Sequence, residues 1–406
     1  MLRHLAFFEE LAKAKESDTV WRATSAGLVV LRLVDRWIVE GPVEHNDWNV
    51  ASVREAIAEI EDATPQRRVL SSIVDAVAGS KAVNIRAVTP RLMAYAQTLE
   101  YDARWTLSID VYRSVIGHAH PADDADLVAL AFIQLGVCLR NVGDLAAALE
   151  ACERAQDVAN AAGDMIGVLR ARIVEAKIAI SRGNLPQAER ILDDTIERAE
   201  GGSLPDVRSR ALHERATVAG MRGEFDRAIQ FAYAALPFAS SQRDRDRILS
   251  DVATGFLSLG LLDTARDAYL VLIATAQDQY VRWTSSLNLM EISARQGAET
   301  VFDHYRRELG AVDLPPYLRG KFLIIVGNGY RDLGAPETGL PYLHEAVSYA
   351  SINELNHLLF EAEESLAASR ITANRPPLLA VAEIPVQVAG VAEAIRSMRE
   401  TAGVGD

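Results

Sequence analysis

Apolar residues recur at spacings of three and four along most of this chain. Val128, Phe132, Leu135 and Leu139 fall on one helical face. After a short break, Leu145, Ala148, Leu149, Cys152 and Ala155 fall on another. The break contains Gly143, and the order Gly, polar, large apolar, two variable positions, Ala returns in Val142–Leu149, Arg182–Glu189 and Arg222–Ile229. The turn glycines stand 40 apart at 143, 183 and 223, and Gly260, Gly297 and Gly334 continue at a spacing of 37. Counting back 40 from Gly143 reaches Ala103, followed by Arg104, Trp105, Ile109 and Tyr112, an imperfect copy. The pattern predicts seven helical hairpins between about residues 88 and 356. In each, the glycine ends the first helix because it takes left-handed backbone angles without a Cβ clash. The Ala five residues on, as in Ala148, Ala188 and Ala228, is expected to be buried where the two helices cross. One hairpin cannot bury both of its faces, so the units must stack.

These residues resemble the tetratricopeptide repeat family. The best matches are Leu135-Gly136, Gly143-Asp144, Ala148 and Ala155, then Gly327, Tyr330, Leu333-Gly334, Leu343 and Ala346. Ala176, Ala216 and Ala253 replace the first-helix glycine, and Phe302 and Gly339 stand where the small Ala belongs. The spacing exceeds the family's usual ~34 residues, which implies longer helices or added loops. The resemblance covers roughly two thirds of the chain. It implies an all-α fold, a right-handed superhelical solenoid of helix-turn-helix hairpins whose first helices line a concave, partner-binding groove.

By the same resemblance the groove positions are the second, fifth, ninth, twelfth and thirteenth of each unit. The polar residues there are Arg140, Asn141, Arg170, Lys177, Arg210, His213, Arg247, Glu291, Arg295, Lys321, Asn328, Arg331 and Asp332. One unit places Leu130, Ile133 and Val137 at such positions. The groove is therefore expected to be partly apolar and partly basic. Arg170, Arg210, Arg247 and Lys321 recur at one repeat position, broken by Thr284, and are expected to form a cationic stripe. Arg offers a planar fork for carboxylates, and Asn offers a donor and an acceptor for peptide backbone. The expected partner is a protein or peptide with an acidic or carboxylate-ended segment. The family's carboxylate clamp needs Lys and Asn at set positions of adjoining units. No adjacent pair here reproduces it.

The flanks read as helices too. Ser17-Asp18 caps a helix predicted to run to Glu40 and to stop at Gly41-Pro42; others start near Asn46-Asp47 and at Thr64-Pro65. Residues 1–80 are thus an N-terminal helical region, 81–371 the repeat array with Leu355–Ile371 as a capping helix, and 372–406 a tail. The tail breaks at Asn374–Pro377, carries an apolar run Leu378–Val388, and holds a short helix near Val391–Arg399. The simplest expectation is that it is loosely attached, the sharper one that the run docks on the array.

Composition narrows the function. The 406 residues carry 42 Lys+Arg and 56 Asp+Glu, a formal net charge of −14, with 49% hydrophobic residues. That balance argues against general affinity for nucleic acid or anionic membrane. The first residues carry Glu9, Glu10, Lys13, Lys15 and Glu16, unlike a signal peptide, and no run reaches a membrane span. Two cysteines, Cys138 and Cys152, suit a reducing cytoplasm and read as small buried hydrophobes. His118 and His120 with Asp123, Asp124 and Asp126 make a weak metal-ligand set, in which the Asp residues are expected to cap a helix. Gly327-Asn-Gly329 starts like a phosphate loop but no Gly-Lys-Ser/Thr follows. No catalytic motif, metal site or cofactor is expected. The sequence reads as a non-enzymatic, cytoplasmic binding scaffold. The alternatives are a ligand- or peptide-sensing regulatory protein of a bacterial system and an accessory subunit of an enzyme.

Overall fold

A computed structural model describes residues 4–13, 18–42, 48–61, 64–120, 124–371 and 383–403. Among the described residues there are 20 α-helices and no strand. The N-terminal helices are α1 (Leu5–Lys13), α2 (Thr19–Glu40), α3 (Trp48–Ala58) and α4 (Pro65–Ala78). The hairpins follow as α5 (Ile85–Tyr101) with α6 (Trp105–His118), α7 (Ala125–Asn141) with α8 (Leu145–Ala161), and α9 (Met165–Ser181) with α10 (Leu185–Gly201). Next come α11 (Pro205–Met221) with α12 (Phe225–Ala235), α13 (Gln242–Ser258) with α14 (Leu262–Thr275), and α15 (Gln279–Arg295) with α16 (Glu299–Gly310). The last pair is α17 (Pro316–Asp332) with α18 (Pro336–Ile352), followed by α19 (Asn356–Ile371) and α20 (Val386–Thr401). The architecture is all-α, made of tetratricopeptide-like helical hairpins.

The seven intra-hairpin turns share one hydrogen-bonded closure. The amide three residues past the helix end reaches back to a carbonyl of the last turn, as in Asp144 N to Leu139 O (3.0 Å) and Ala335 N to Tyr330 O (2.8 Å). Six of the turns place glycine at positive φ, for example Gly143 at 86°. In the first hairpin Ala103 takes the same place at φ 56°, with Arg104 N to Leu99 O at 2.8 Å. The imperfect copy is therefore a true unit that bears the strain of a Cβ in the left-handed region.

The chain divides into two compact units, Met1–Val207 and Arg208–Asp406. In the first, α1 to α4 pack continuously with the opening hairpin. α2 approaches α5 so closely at Gly27 that an added Cβ would lie 2.0 Å from Tyr95 Oη. Gln66 donates to Asp102 at 2.8 Å, and Arg104 reaches Thr24 and Glu10. The start of α2 is capped by Asp18 and its end by Gly41 at φ 98°, and Thr64 caps α4 ahead of Pro65. The start expected near Asn46-Asp47 lies outside the described residues. In the second unit the first helices of successive hairpins pack side by side, α13 on α15 and α15 on α17, and the following helix α19 continues the row on α17. Residues 372–382, which hold Asn374–Pro377 and most of the apolar run, lie outside the described residues. Beyond them α20 packs on the second helices α12 and α14. It buries Val388, Val391, Ala392 and Ile395, and Arg399 meets Asp267 at 2.8 Å. The C-terminal helix is longer than expected and is not loosely attached.

The crossings follow a volume rule. Ala148 and Ala188 are fully buried, and a Cβ on Gly136 would lie 3.1 Å from Cys152 Sγ and 3.3 Å from Ala148 O. Ala228, expected to be buried, is only half-buried, because Gly220 opposite leaves slack: a Cβ there would lie 4.0 Å from that of Ala228. At Phe302 the small residue is on α17, the first helix of the next hairpin, where a Cβ on Gly329 would meet the Phe302 ring at 2.3 Å.

Candidate functional site

A cleft of about 320 Å³ opens on the first helices α15 and α17 of the second unit and on α19 beside them. Hairpin packing puts these helices side by side, so residues a repeat apart meet across it. Its floor includes Leu287, Leu318 and Ile324, and its rim carries the half-exposed Tyr280 and Tyr317. Five groove positions expected from sequence line it: Glu291, Lys321, Asn328, Arg331 and Asp332. Asn288 and Glu361 line it as well and are not among the expected positions. They sit on α15 and α19, but only packing shows that they face the cleft.

The charges in and beside the cleft are balanced, not basic. Lys321 Nζ lies 2.7 Å from both oxygens of Glu361, Arg295 lies 3.5 Å from Glu291, and Arg331 lies 3.3 Å from Asp332. Burial pushes the Glu291 carboxyl above the usual carboxylate range. Arg295 and Lys321 oppose this, and Asp332 and Glu361 add to it. Burial likewise raises Asp332 against the pull of Arg331 and Arg295. Asn328 donates to Ser365 Oγ at 3.0 Å, while its Oδ1 is buried without a hydrogen-bond partner.

The other expected positions do not form a free basic stripe. Arg170 lies 3.0 Å from Asp206 and His213 2.5 Å from Asp251, in each case a carboxylate on the next first helix. Lys177 and Arg210 also have interaction partners, Arg140 donates to Asn141 at 2.8 Å, and Arg247 is exposed. The counter-charges come from neighbouring first helices and from α19, which the repeat places at the same height 36 to 40 residues on. A survey of one helix's positions could not show them. Ile133, expected in the groove, is buried, and Leu130 and Val137 are half-buried against the core.

The remaining sequence candidates become structural. His118 Nε2 lies 2.7 Å from Asp35 Oδ1. Asp124 stands at the start of α7 without capping it through its side chain, and instead meets Arg86 at 2.6 Å. Asp123 lies outside the described residues. Among the described residues no group of three or more His, Cys, Asp or Glu is arranged to hold a metal. Cys138 and Cys152 are fully buried free thiols, each pushed up to about 12 by burial, with Glu100 and Glu175 respectively adding to the shift. Gly327-Asn-Gly329 lies inside α17, where its glycines admit Leu343 and Phe302.

No protein-family model matches the chain, nor does any curated protein. Among solved structures it is similar to the Rap conjugation gene regulator of plasmid pLS20 in complex with the Phr* peptide. The identity is 12%, over 82% of this chain and 98% of that one, at a TM-score of 0.47. It is also similar to the quorum sensor NprR from B. thuringiensis, at 11% identity over 84% of this chain and 92% of that one, TM-score 0.47. A third likeness is to the TPR-like repeats of a kinesin light chain from Podosopora anserina, at 16% identity over 47% and 97%, TM-score 0.39.

Proposed function

We propose that the protein is a non-enzymatic peptide- or protein-binding scaffold and that an extended segment of its partner enters the cleft on α15, α17 and α19. The orphaned Oδ1 of Asn328 carries this reading. A buried acceptor without a donor costs about 1–3 kcal/mol, and a backbone N–H of an extended segment supplies the missing donor. The two tyrosines at the rim give such a segment large, rigid surfaces of the kind enriched at interfaces. An acidic or carboxylate-ended partner places its carboxylate on Lys321 and releases Glu361. The exchange trades one ion pair for another, so it supplies selectivity more than affinity.

The proposal includes a cytoplasmic location, consistent with the two buried free thiols. No described helix is long and apolar enough to cross a membrane. A net charge of −14 disfavours direct nucleic-acid binding. The two other readings are a ligand-sensing regulator and an accessory subunit of an enzyme. Partner capture from the native host followed by mass spectrometry distinguishes them by what co-purifies. The decisive measurement is calorimetric affinity of the captured partner, or of a peptide from it, for wild type, Asn328→Ala and Lys321→Glu. Loss of about tenfold or more in each variant is expected. Unchanged affinity in both moves the site away from this cleft.

A further inference from the structure

The first unit holds a larger cavity, about 480 Å³, that the peptide cleft does not involve. It lies among α1, α6 and the α7–α8 turn. Its apolar wall includes Leu5, Ile109, Leu139 and Val142. Asp110, Ser114 and His118 line it at intervals of four, so they share one face of α6. Gly117 lies on the same wall, and a Cβ there would meet nothing within 4 Å.

The polar groups of this wall are incomplete in one direction. His4 is 2% exposed and its Nε2 lies 3.1 Å from Asp35 Oδ2. Hydrogen bonds from His118 and His4, with their charges, outweigh the effect of burial and hold the Asp35 carboxyl well below its usual range. Asp35 is therefore the acceptor, and His4 donates to it through Nε2. The other ring nitrogen of His4, Nδ1, has no hydrogen-bond partner and stands 3.8 Å from Asp110 Oδ1. Asp110 Oδ2 and Ser114 Oγ are likewise buried without partners. Asp110 also faces Arg113 and the backbone amides of His4 and Ala6. Asp110 Oδ2 is an acceptor and Ser114 Oγ is a hydroxyl that can accept. Of the Asp, Glu, Lys and Arg residues lining the cavity, Glu9, Asp110 and Asp144 stand beside Arg113.

We propose that this cavity binds a small organic ammonium, its nitrogen held by Asp110 Oδ2 and Ser114 Oγ and its aliphatic body lying against Leu5, Ile109 and Val142. An ammonium has N–H donors and no acceptor, which matches the carboxylate oxygen and the hydroxyl left without partners on this wall. Hydrogen bonds to a charged group are the stronger kind, and the cavity has the size of a small-molecule site. The proposal is independent of the partner cleft, which lies in the other unit.

The test uses the full chain with n-butylammonium and 1,4-diaminobutane as probes and n-butanol as the neutral control. Calorimetry and ligand-observed NMR report binding. Saturable binding of at least one ammonium probe, at one site per chain, is expected, with none of the alcohol. Asp110→Asn is expected to weaken binding about tenfold or more, since a charged hydrogen-bond partner is lost. Gly117→Leu fills the cavity from a helical position with open space before it, and is expected to abolish binding while leaving the circular dichroism unchanged. Absence of saturable ammonium binding, equal binding of n-butanol, or wild-type affinity in the Gly117→Leu variant overturns the proposal. If Asp110→Asn does not fold, Ser114→Ala replaces it, with a severalfold loss expected and no loss counting against the site.

Discussion

The small residues of this chain are intelligible only in pairs. Phe302 stands where most units carry Ala, and it is accommodated because Gly329 on the facing helix has no side chain. A methyl group on Gly329 is expected to destabilise the protein by about 1–3 kcal/mol, the range for overpacking a filled crossing. Phe302→Leu added to Gly329→Ala should recover part of that loss. Denaturant melts of the two single variants and the double variant measure the coupling, and strict additivity would count against the contact. Alanine crossings differ in the same way. Ala188 is fully buried, so Ala188→Leu is expected to cost about 1–3 kcal/mol, whereas Ala228→Leu, beside Gly220, should melt close to wild type. Equal melting temperatures for the two leucine variants would contradict this assignment.

Between elements, a few polar ties decide which helices dock. Asp35 on α2 receives His4 and His118 and so joins α2 to the segment before α1 and to the end of α6. Its folded pKa is depressed, so the stability it contributes is present above the unfolded value and is lost as pH falls. The ordinary value is 3.8, so the loss begins near there and deepens at lower pH. Acid unfolding of wild type followed by circular dichroism should therefore be steeper below about pH 4 than that of Asp35→Asn, which should already be less stable at neutral pH. At the other end, α20 is pinned by Arg399 on Asp267, both largely buried. Removing Asp267 takes this ion pair from the largely buried guanidinium of Arg399. Asp267→Ala is expected to cost about 1–3 kcal/mol and to raise protease sensitivity near residue 383, while Glu393→Ala, in an exposed pair with Arg396, should do neither.

At the scale of the molecule, the net charge of −14 does not describe the surface of any one helix. Arg170, His213 and Lys321 meet carboxylates 36 to 40 residues further on, and Arg295 and Arg331 meet carboxylates on their own helices, so charge is balanced locally while the total stays acidic. Partner binding is accordingly expected to depend only modestly on salt, which affinity measured at low and moderate ionic strength would check. Chelator should leave the melting temperature unchanged, since no described cluster offers a metal a ligand set on rigid elements. A stoichiometric zinc or iron by elemental analysis, lost on changing His118 and His120, would contradict that.

The sequence alone determined the repeat. Glycine at left-handed turns and apolar residues at helical spacing are local requirements, written within about 40 residues and repeated until they cannot be missed. Even Ala103 was legible from its distance to Gly143, although the residue type argues against a left-handed turn. Helix ends at Asp18, Gly41 and Thr64 could be read for the same reason, because a cap acts on its own neighbours. What the tertiary structure decided are relations between helices far apart in the chain. Lys321 meets Glu361, His118 meets Asp35 across 83 residues, and α20 finds its place on α12 and α14. A charge is read in sequence as a single residue, but its effect depends on what stands a few ångströms away, and packing alone sets that neighbour.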